Sequence, residues 1–183
     1  MTESRKIEEA MTRAEAAGQG HVPNPADPRL FRDALGRFAT GVTVVTTCEA
    51  GGAAPVGITV NSFASVSLDP ALVLWSAARS SMRHRHFSAA QAFAIHVLGA
   101  DQRALAKRFT GTGAGFDGLE HHRNATGVPL IDGVLARFEC VTEATHEGGD
   151  HTIIIGRVTR FCLCETGEPL TFFAGQYGGF SKA

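Results

Sequence analysis

The sequence predicts a mainly β chain, a β-barrel decorated by a few short helices. Three observations carry that prediction. About seven apolar segments of strand length follow one another in hairpin order. Helical periodicity is confined to short stretches. The 21 glycines among 183 residues supply many turns and close backbone approaches. No strand–helix alternation of the doubly wound kind is present, and no internal repeat or low-complexity segment interrupts the pattern.

The elements follow in order. Residues 3–17 carry a thin helical stripe (Ile7, Ala10, Met11, Ala14), and "HVPNPADP" then breaks the chain with three prolines. Residues 1–27 are therefore read as a disordered tail or an arm for a partner subunit, and residues 28–183 as the folded domain. Asp27-Pro28 is a helix start, a capping carboxylate followed by a residue that needs no donor. Leu30, Phe31, Ala34, Leu35 and Phe38 follow at helical spacing and predict one buried face. Val42 to Thr47 is the first strand, and "EAGGAAP" turns it into "VGITVNSFASVSLDP", Val56 to Pro70, read as one strand. Its even face is apolar except at Ser62, and its odd face is polar or small except at Phe63. Ala71 to Ser76, apolar on both faces, reads as a central strand. Ser80 or Ser81 caps a short helix to about Phe87. Strand Ala92 to Leu98 and a helix capped by Asp101 and ending near Gly111 come next. Residues 111–133 are irregular. Strands Val134 to Thr145 and His151 to Cys164, joined by "HEGGD", and a last strand Leu170 to Ala174 complete the list.

Composition excludes several function classes. The net charge of −1 offers no basic field for nucleic acid. No apolar run is long enough to span a membrane, and "MTESRKIEEA" lacks the core of a secretory signal, so the expectation is a cytoplasmic protein. The four cysteines form no Cys-x-x-Cys and read as reduced thiols. There is no Walker loop and no nucleophile elbow. "GTGAGFDG" (Gly111 to Gly118) follows a helix, the wrong context for a dinucleotide fingerprint. The pairs His84/His86 and His121/His122 lack companion ligands at metal-site spacing, so no metal is expected.

Three places remain for chemistry. Ser76, Ala77 and Ala78 end an apolar strand with small residues that admit a planar ligand, and Arg79, Ser80 and Ser81 add a guanidinium and two hydroxyls suited to phosphate. "KRF", Lys107 to Phe109, places two cations at a helix end. In "GGDHTIIIGRV", His151 stands at the mouth of an apolar strand beside Asp150, either a satisfied turn residue or one placed for a hydrogen-bonding role toward a ligand at the barrel rim.

At these residues the chain resembles the short-chain flavin reductases, the NAD(P)H:flavin oxidoreductase components of two-component monooxygenases acting on phenols and hydroxyphenylacetate. The likeness runs from Leu30 to Tyr177 through "FRDALGRFATGVTVVTT", "PVGITVNSFASVSLDPALVLWS", "LAKRF", "GGDHTIIIGRV" and "LTFFAGQY", in order. It implies an FMN-binding split β-barrel with a few short peripheral helices, a homodimer, and hydride transfer from NADH or NADPH to FMN or FAD. The reduced flavin would serve a separate monooxygenase. By resemblance Pro55, Val56, Gly57, Ile58, Thr59, Asn61 and Ser62 line the isoalloxazine, and Ser62 and Phe63 break phase as the strand bends around it. Ser76, Ala77 and Ala78 approach the ring and ribityl chain, Ser81 lies near the phosphate, and Arg108 and Phe109 close that end. Gly149, Asp150 and His151 form the turn where nicotinamide docks, with His151 orienting it, and Tyr177 lies near the same cleft. The same barrel also serves pyridoxamine-phosphate oxidases and flavin-binding proteins without reductase activity. The "GDH" turn and the "NSF" strand favour the reductase.

Overall fold

A computed structural model describes Arg5 and residues 20–181 except 112 and 114. The helix expected over 3–17 therefore lies outside the described residues apart from Arg5, as do two positions of the Gly111–Gly118 loop. Contacts group the chain into two units, residues 1–37 and 38–183.

The first unit contains helix α1 (Arg29–Leu35). Asp27 sits at its start, where its carboxylate accepts the Arg29 N–H at 3.4 Å. The expected buried face is corrected: no residue of α1 is buried, and Leu30, Phe31 and Leu35 are all exposed. The helical periodicity is present, but it does not mark a buried face.

Among the described residues the second unit holds twelve strands, seven of which form one antiparallel sheet. These are β2 (Thr43–Cys48), β3 (Pro55–Val60), β4 (Ala64–Leu68), β5 (Ala71–Ala78), β6 (Ala92–Val97), β9 (Ala136–Gly148) and β10 (His151–Leu163). Their order is β3-β2-β6-β9-β10-β5-β4. The two edge strands, β3 and β4, are consecutive in the chain and joined only by Asn61–Phe63. A flat sheet would hold them about 29 Å apart, six spacings of about 4.8 Å. Three linking residues reach about 15 Å at most. The sheet must therefore roll until its edges meet, which makes a barrel split between β3 and β4. The segment read as one strand is thus two, at opposite edges, and β5 lies next to the edge instead of at the centre.

Short strands complete the unit. β1 (Thr40–Gly41), β11 (Thr171–Phe173) and β12 (Gln176–Gly178) form a small sheet, and β7 (His122–Arg123) pairs with β8 (Pro129–Leu130) inside the stretch expected to be irregular. Helix α2 (His84–Ser88) starts later than expected and has no side-chain cap, because the Ser81 hydroxyl instead accepts the Arg83 N–H. Helix α3 (Arg103–Arg108) follows a 3-10 turn in which the Gln102 side chain, not Asp101, satisfies the Gly99 N–H.

Alternation along the strands builds the core. Val45, Val73, Trp75, Ala77, Phe93, Ile95 and Ile154 fill the barrel, with Trp75 edge-on to Phe87 and Phe93. A second cluster, Val42, Val44, Leu98, Ala106, Phe109, Ile131 and Leu170, seats α3. His96 is fully buried at the seam between β2, β6 and the loop after β8. Its Nδ1 donates to the Val44 carbonyl at 3.0 Å, and its Nε2 accepts the Ile131 N–H at 3.1 Å. Both ring nitrogens are satisfied by backbone, so the neutral ring fits without an orphaned group.

Candidate functional site

The free edge of β3 comes first. Thr59 turns its N–H away from β2 to the Phe109 carbonyl at 3.2 Å, and its hydroxyl donates to the Ala106 carbonyl at 2.6 Å. Backbone groups alternate in direction along an antiparallel strand. Pro55, Gly57 and Thr59 therefore face the open edge, while Val56, Ile58 and Val60 bond β2. A Cβ on Gly57 would come within 2.5 Å of the Phe109 ring, so only glycine lets α3 close on this strand. Phe109 itself is fully buried. Its ring belongs to the core, and its carbonyl is what reaches the edge.

Ser62 stands at the crossing from one edge to the other. Its Oγ accepts the Ser76 N–H at 3.0 Å and donates to the Ser76 carbonyl at 3.2 Å. The β4–β5 register pairs Ala64 with Leu74, which places Ser62 opposite Ser76. The hydroxyl thus replaces one rung of the ladder where the backbone has already turned aside. Phe63 goes inward to stack on Phe138 at 5.6 Å. This corrects the expected cause of the phase break: the strand slips because it changes edges, and the Ser62 hydroxyl is taken up by the sheet.

Strand β5 then brings Ser76 and Ala78 beside the β9–β10 turn. Their cross-strand partners are Ile153 and His151, while Ala77 points into the core. The Arg79 N–H donates to the Asp150 carbonyl at 2.9 Å, and the Arg79 guanidinium pairs with Glu147 at 3.2 Å. Gly149 takes φ +68°, the left-handed conformation that such a tight turn requires. Asp150 Oδ1 lies 2.8 Å from His151 Nδ1. That hydrogen bond, with the imidazole's charge, holds the exposed Asp150 carboxyl below its ordinary range. Nδ1 is thereby fixed on Asp150, and Nε2 has no hydrogen-bond partner among the described residues. One residue on, the Thr152 hydroxyl meets His84 Nε2 at 2.9 Å, a tie between the turn and α2 that sequence reasoning missed.

The end of α3 closes the group. Arg108 Nε donates to the Gly115 carbonyl at 3.1 Å and its Nη2 to the Asp117 carbonyl, so this guanidinium tethers the glycine-rich loop. Arg83, also missed, sends Nη1 to the Phe109 carbonyl at 3.3 Å. Tyr177 lies elsewhere: its ring contacts are Phe172 at 5.4 Å and the Arg103 guanidinium at 5.5 Å, within the second cluster. Among the described residues no three His, Cys, Asp or Glu side chains converge as metal ligands.

The sheet rolled until β3 meets β4, with the Asp150–His151 turn beside the end of β5, is the arrangement of a split-barrel oxidoreductase of the flavin reductase class. The chain belongs to the flavin reductase like domain family, which matches residues 35–181. It is 57% identical over 161 residues to the FMN reductase (NADH) SmoA of Agrobacterium fabrum, covering 88% of this chain and 91% of that one. It is 38% identical over 168 residues to the reductase subunit HsaB of a flavin-dependent monooxygenase from Rhodococcus jostii, covering 91% and 85%. Among solved structures, the NADH:FAD oxidoreductase SgcE6 of Streptomyces globisporus in complex with NAD and FAD fragments superposes with a TM-score of 0.80 at 36% identity, over 88% of this chain and 98% of that one.

Proposed function

We propose that this flavin reductase passes a hydride from NADH to FMN and releases the reduced flavin to a separate monooxygenase component. The observations that support the reading are the bonds linking the β3 edge to Phe109 and Arg83, Ser62 to Ser76, and Asp150 to His151 opposite Ala78. The preference for NADH and FMN draws on the name of the 57%-identical relative.

The donor set suits a flavin. The outward N–H and C=O of Gly57 and the outward C=O of Thr59 suit a heterocycle edge that carries both acceptors and donors, while the Thr59 N–H is taken by Phe109. Ser76 and Ala78 leave room for a flat ring. A bound flavin supplies the hydride acceptor and the nicotinamide the donor. The chain contributes position and polarity, with no nucleophile required. Asp150 fixes the His151 ring, whose Nε2 can hydrogen-bond the nicotinamide, and the β5–β10 pairing holds that ring against Ala78.

The assembly proposed is a homodimer. Leu68 is 96% exposed on β4, with Val66 also exposed on the same strand, and α1 carries a further uncovered apolar face in the first unit. The division proposed is an N-terminal arm or tail, residues 1–27, and a flavin reductase-like domain, residues 28–183, although contacts group residues 28–37 with the N-terminal unit. A solution mass of two chains by light scattering is the expected result. The compartment proposed is the cytoplasm; no helix among the described residues is long and apolar enough to cross a membrane, and the cysteines are free thiols.

Nucleotide oxidation followed with NADH or NADPH, each with FMN, FAD or no flavin, tests the reaction. Rapid NADH oxidation that depends on added flavin is expected. Absence of turnover with every flavin would refute the proposal.

A further inference from the structure

We infer that Arg83 is the side chain that reads the phosphate of the flavin, and that the enzyme's substrate class is therefore phosphorylated flavins in preference to riboflavin. The inference rests on the flavin reading above. Several guanidiniums of the barrel have carboxylate partners: Arg79 with Glu147 at 3.2 Å, Arg137 with Asp132 at 3.0 Å and Arg157 with Glu143 at 3.1 Å. Arg123, held by the Ala53 and Gly127 carbonyls, has none among the described residues, and neither do Arg83 and Arg108. Both are held only by carbonyls, Arg83 by Phe109 and Arg108 by Gly115 and Asp117, and neither has an ion pair among the described residues.

Their guanidiniums point to different places, Arg108 to the glycine-rich loop and Arg83 to the β3 edge. Phe109, next in sequence to Arg108, offers the carbonyl that receives both Arg83 Nη1 and the Thr59 N–H of the β3 edge. The Ser81 hydroxyl accepts the backbone N–H of Arg83 at 3.2 Å and so fixes the main chain from which that side chain departs. One of five guanidinium N–H groups on Arg83 is committed, and four are left for an anion. Arg79, the guanidinium that the sequence pattern nominated for phosphate, is instead spent on Glu147. Arg85, two residues beyond Arg83, is exposed and bonds the His86 ring.

Binding of FMN and of riboflavin to the wild-type protein, Arg83→Gln and Arg83→Lys, followed by quenching of flavin fluorescence, tests this. Gln keeps an N–H for the Phe109 carbonyl and removes the charge. The expected result is an FMN Kd raised about ten-fold or more in Arg83→Gln, with riboflavin binding unchanged and Lys recovering part of the loss. Equal losses for FMN and riboflavin, or no loss for either, would overturn the assignment and leave Arg83 as a strut for Phe109. If Arg83→Gln does not fold, Arg83→Lys carries the comparison: a loss for FMN alone supports the role, and equal losses overturn it. Wild-type protein that binds neither flavin overturns the flavin reading itself.

Discussion

Two histidines mark two differently built regions of the barrel. At the inner seam His96 is sealed, and both of its nitrogens are satisfied by the backbone of β2 and of the segment before β9. At the rim His151 has one nitrogen fixed by Asp150 and the other uncommitted, with 40% of its side chain exposed. The residue type is the same, but its satisfaction differs. A polar group whose bonds are all made inside the fold contributes stability and specificity of packing. A polar group held in orientation by one bond and left open at the other is placed for a ligand. The same contrast separates Ser62, clasped to Ser76, from Ser81, whose hydroxyl proton is free.

Substitution at the seam should have the largest effect on stability. His96→Ala leaves the Ile131 N–H without a partner in a dry interior, and a cavity besides. A loss of about 3 kcal/mol or more is expected from denaturant unfolding. Acid probes the same group. Burial lowers the His96 pKa from 6.5 to about 4, so the unfolded chain binds the extra proton between those values. The stability contribution is complete above pH 6.5, falls as the pH drops from there, and by about pH 4 has lost about 3 kcal/mol. Denaturation midpoints measured across that range, with His96→Gln as reference, should show the wild type steeper. A flat wild-type profile would break the contrast.

Ser62→Ala comes next. It removes two hydrogen bonds to Ser76 at the barrel split, and a cost of about 1–2 kcal/mol in thermal or denaturant unfolding is expected. His151→Ala should be the mildest for the fold, within about 0.5 kcal/mol as for an exposed side chain. Its effect belongs in kinetics: the KM for NADH rises about ten-fold while flavin affinity is retained. A variant with ordinary NADH kinetics and weakened flavin binding would place His151 on the wrong ligand.

Much of the barrel was legible because alternation is local. Val42 to Thr47, Ala92 to Leu98 and the long hairpin around "HEGGD" lie within a few residues of β2, β6, β9 and β10. The turn glycines and the Asp150–His151 pair were legible for the same reason. What escaped depends on distant partners. The irregularity at Ser62 was visible, but its cause is a bond to Ser76, fourteen residues on. The apolar stripe of α1 was visible, yet periodicity does not say what covers it. Arg79 and Arg83 both precede α2, and only the path of the turn decides which meets Glu147 and which meets Phe109. Phe109 was expected at the ligand; its ring packs under Gly57, and no local pattern separates a side chain in the core from a carbonyl at the edge.

Amide hydrogen exchange with and without FMN tests the placement of the site most directly. FMN should slow exchange at Gly57 to Asn61, at Ala78 to Arg83 and in the Gly149–His151 turn, while the amides flanking His96 stay as slow as before. Protection confined to the face of α3 lined by Leu105, Leu119 and His121, or no protection anywhere in the barrel, would contradict a flavin seated at the split between β3 and β4.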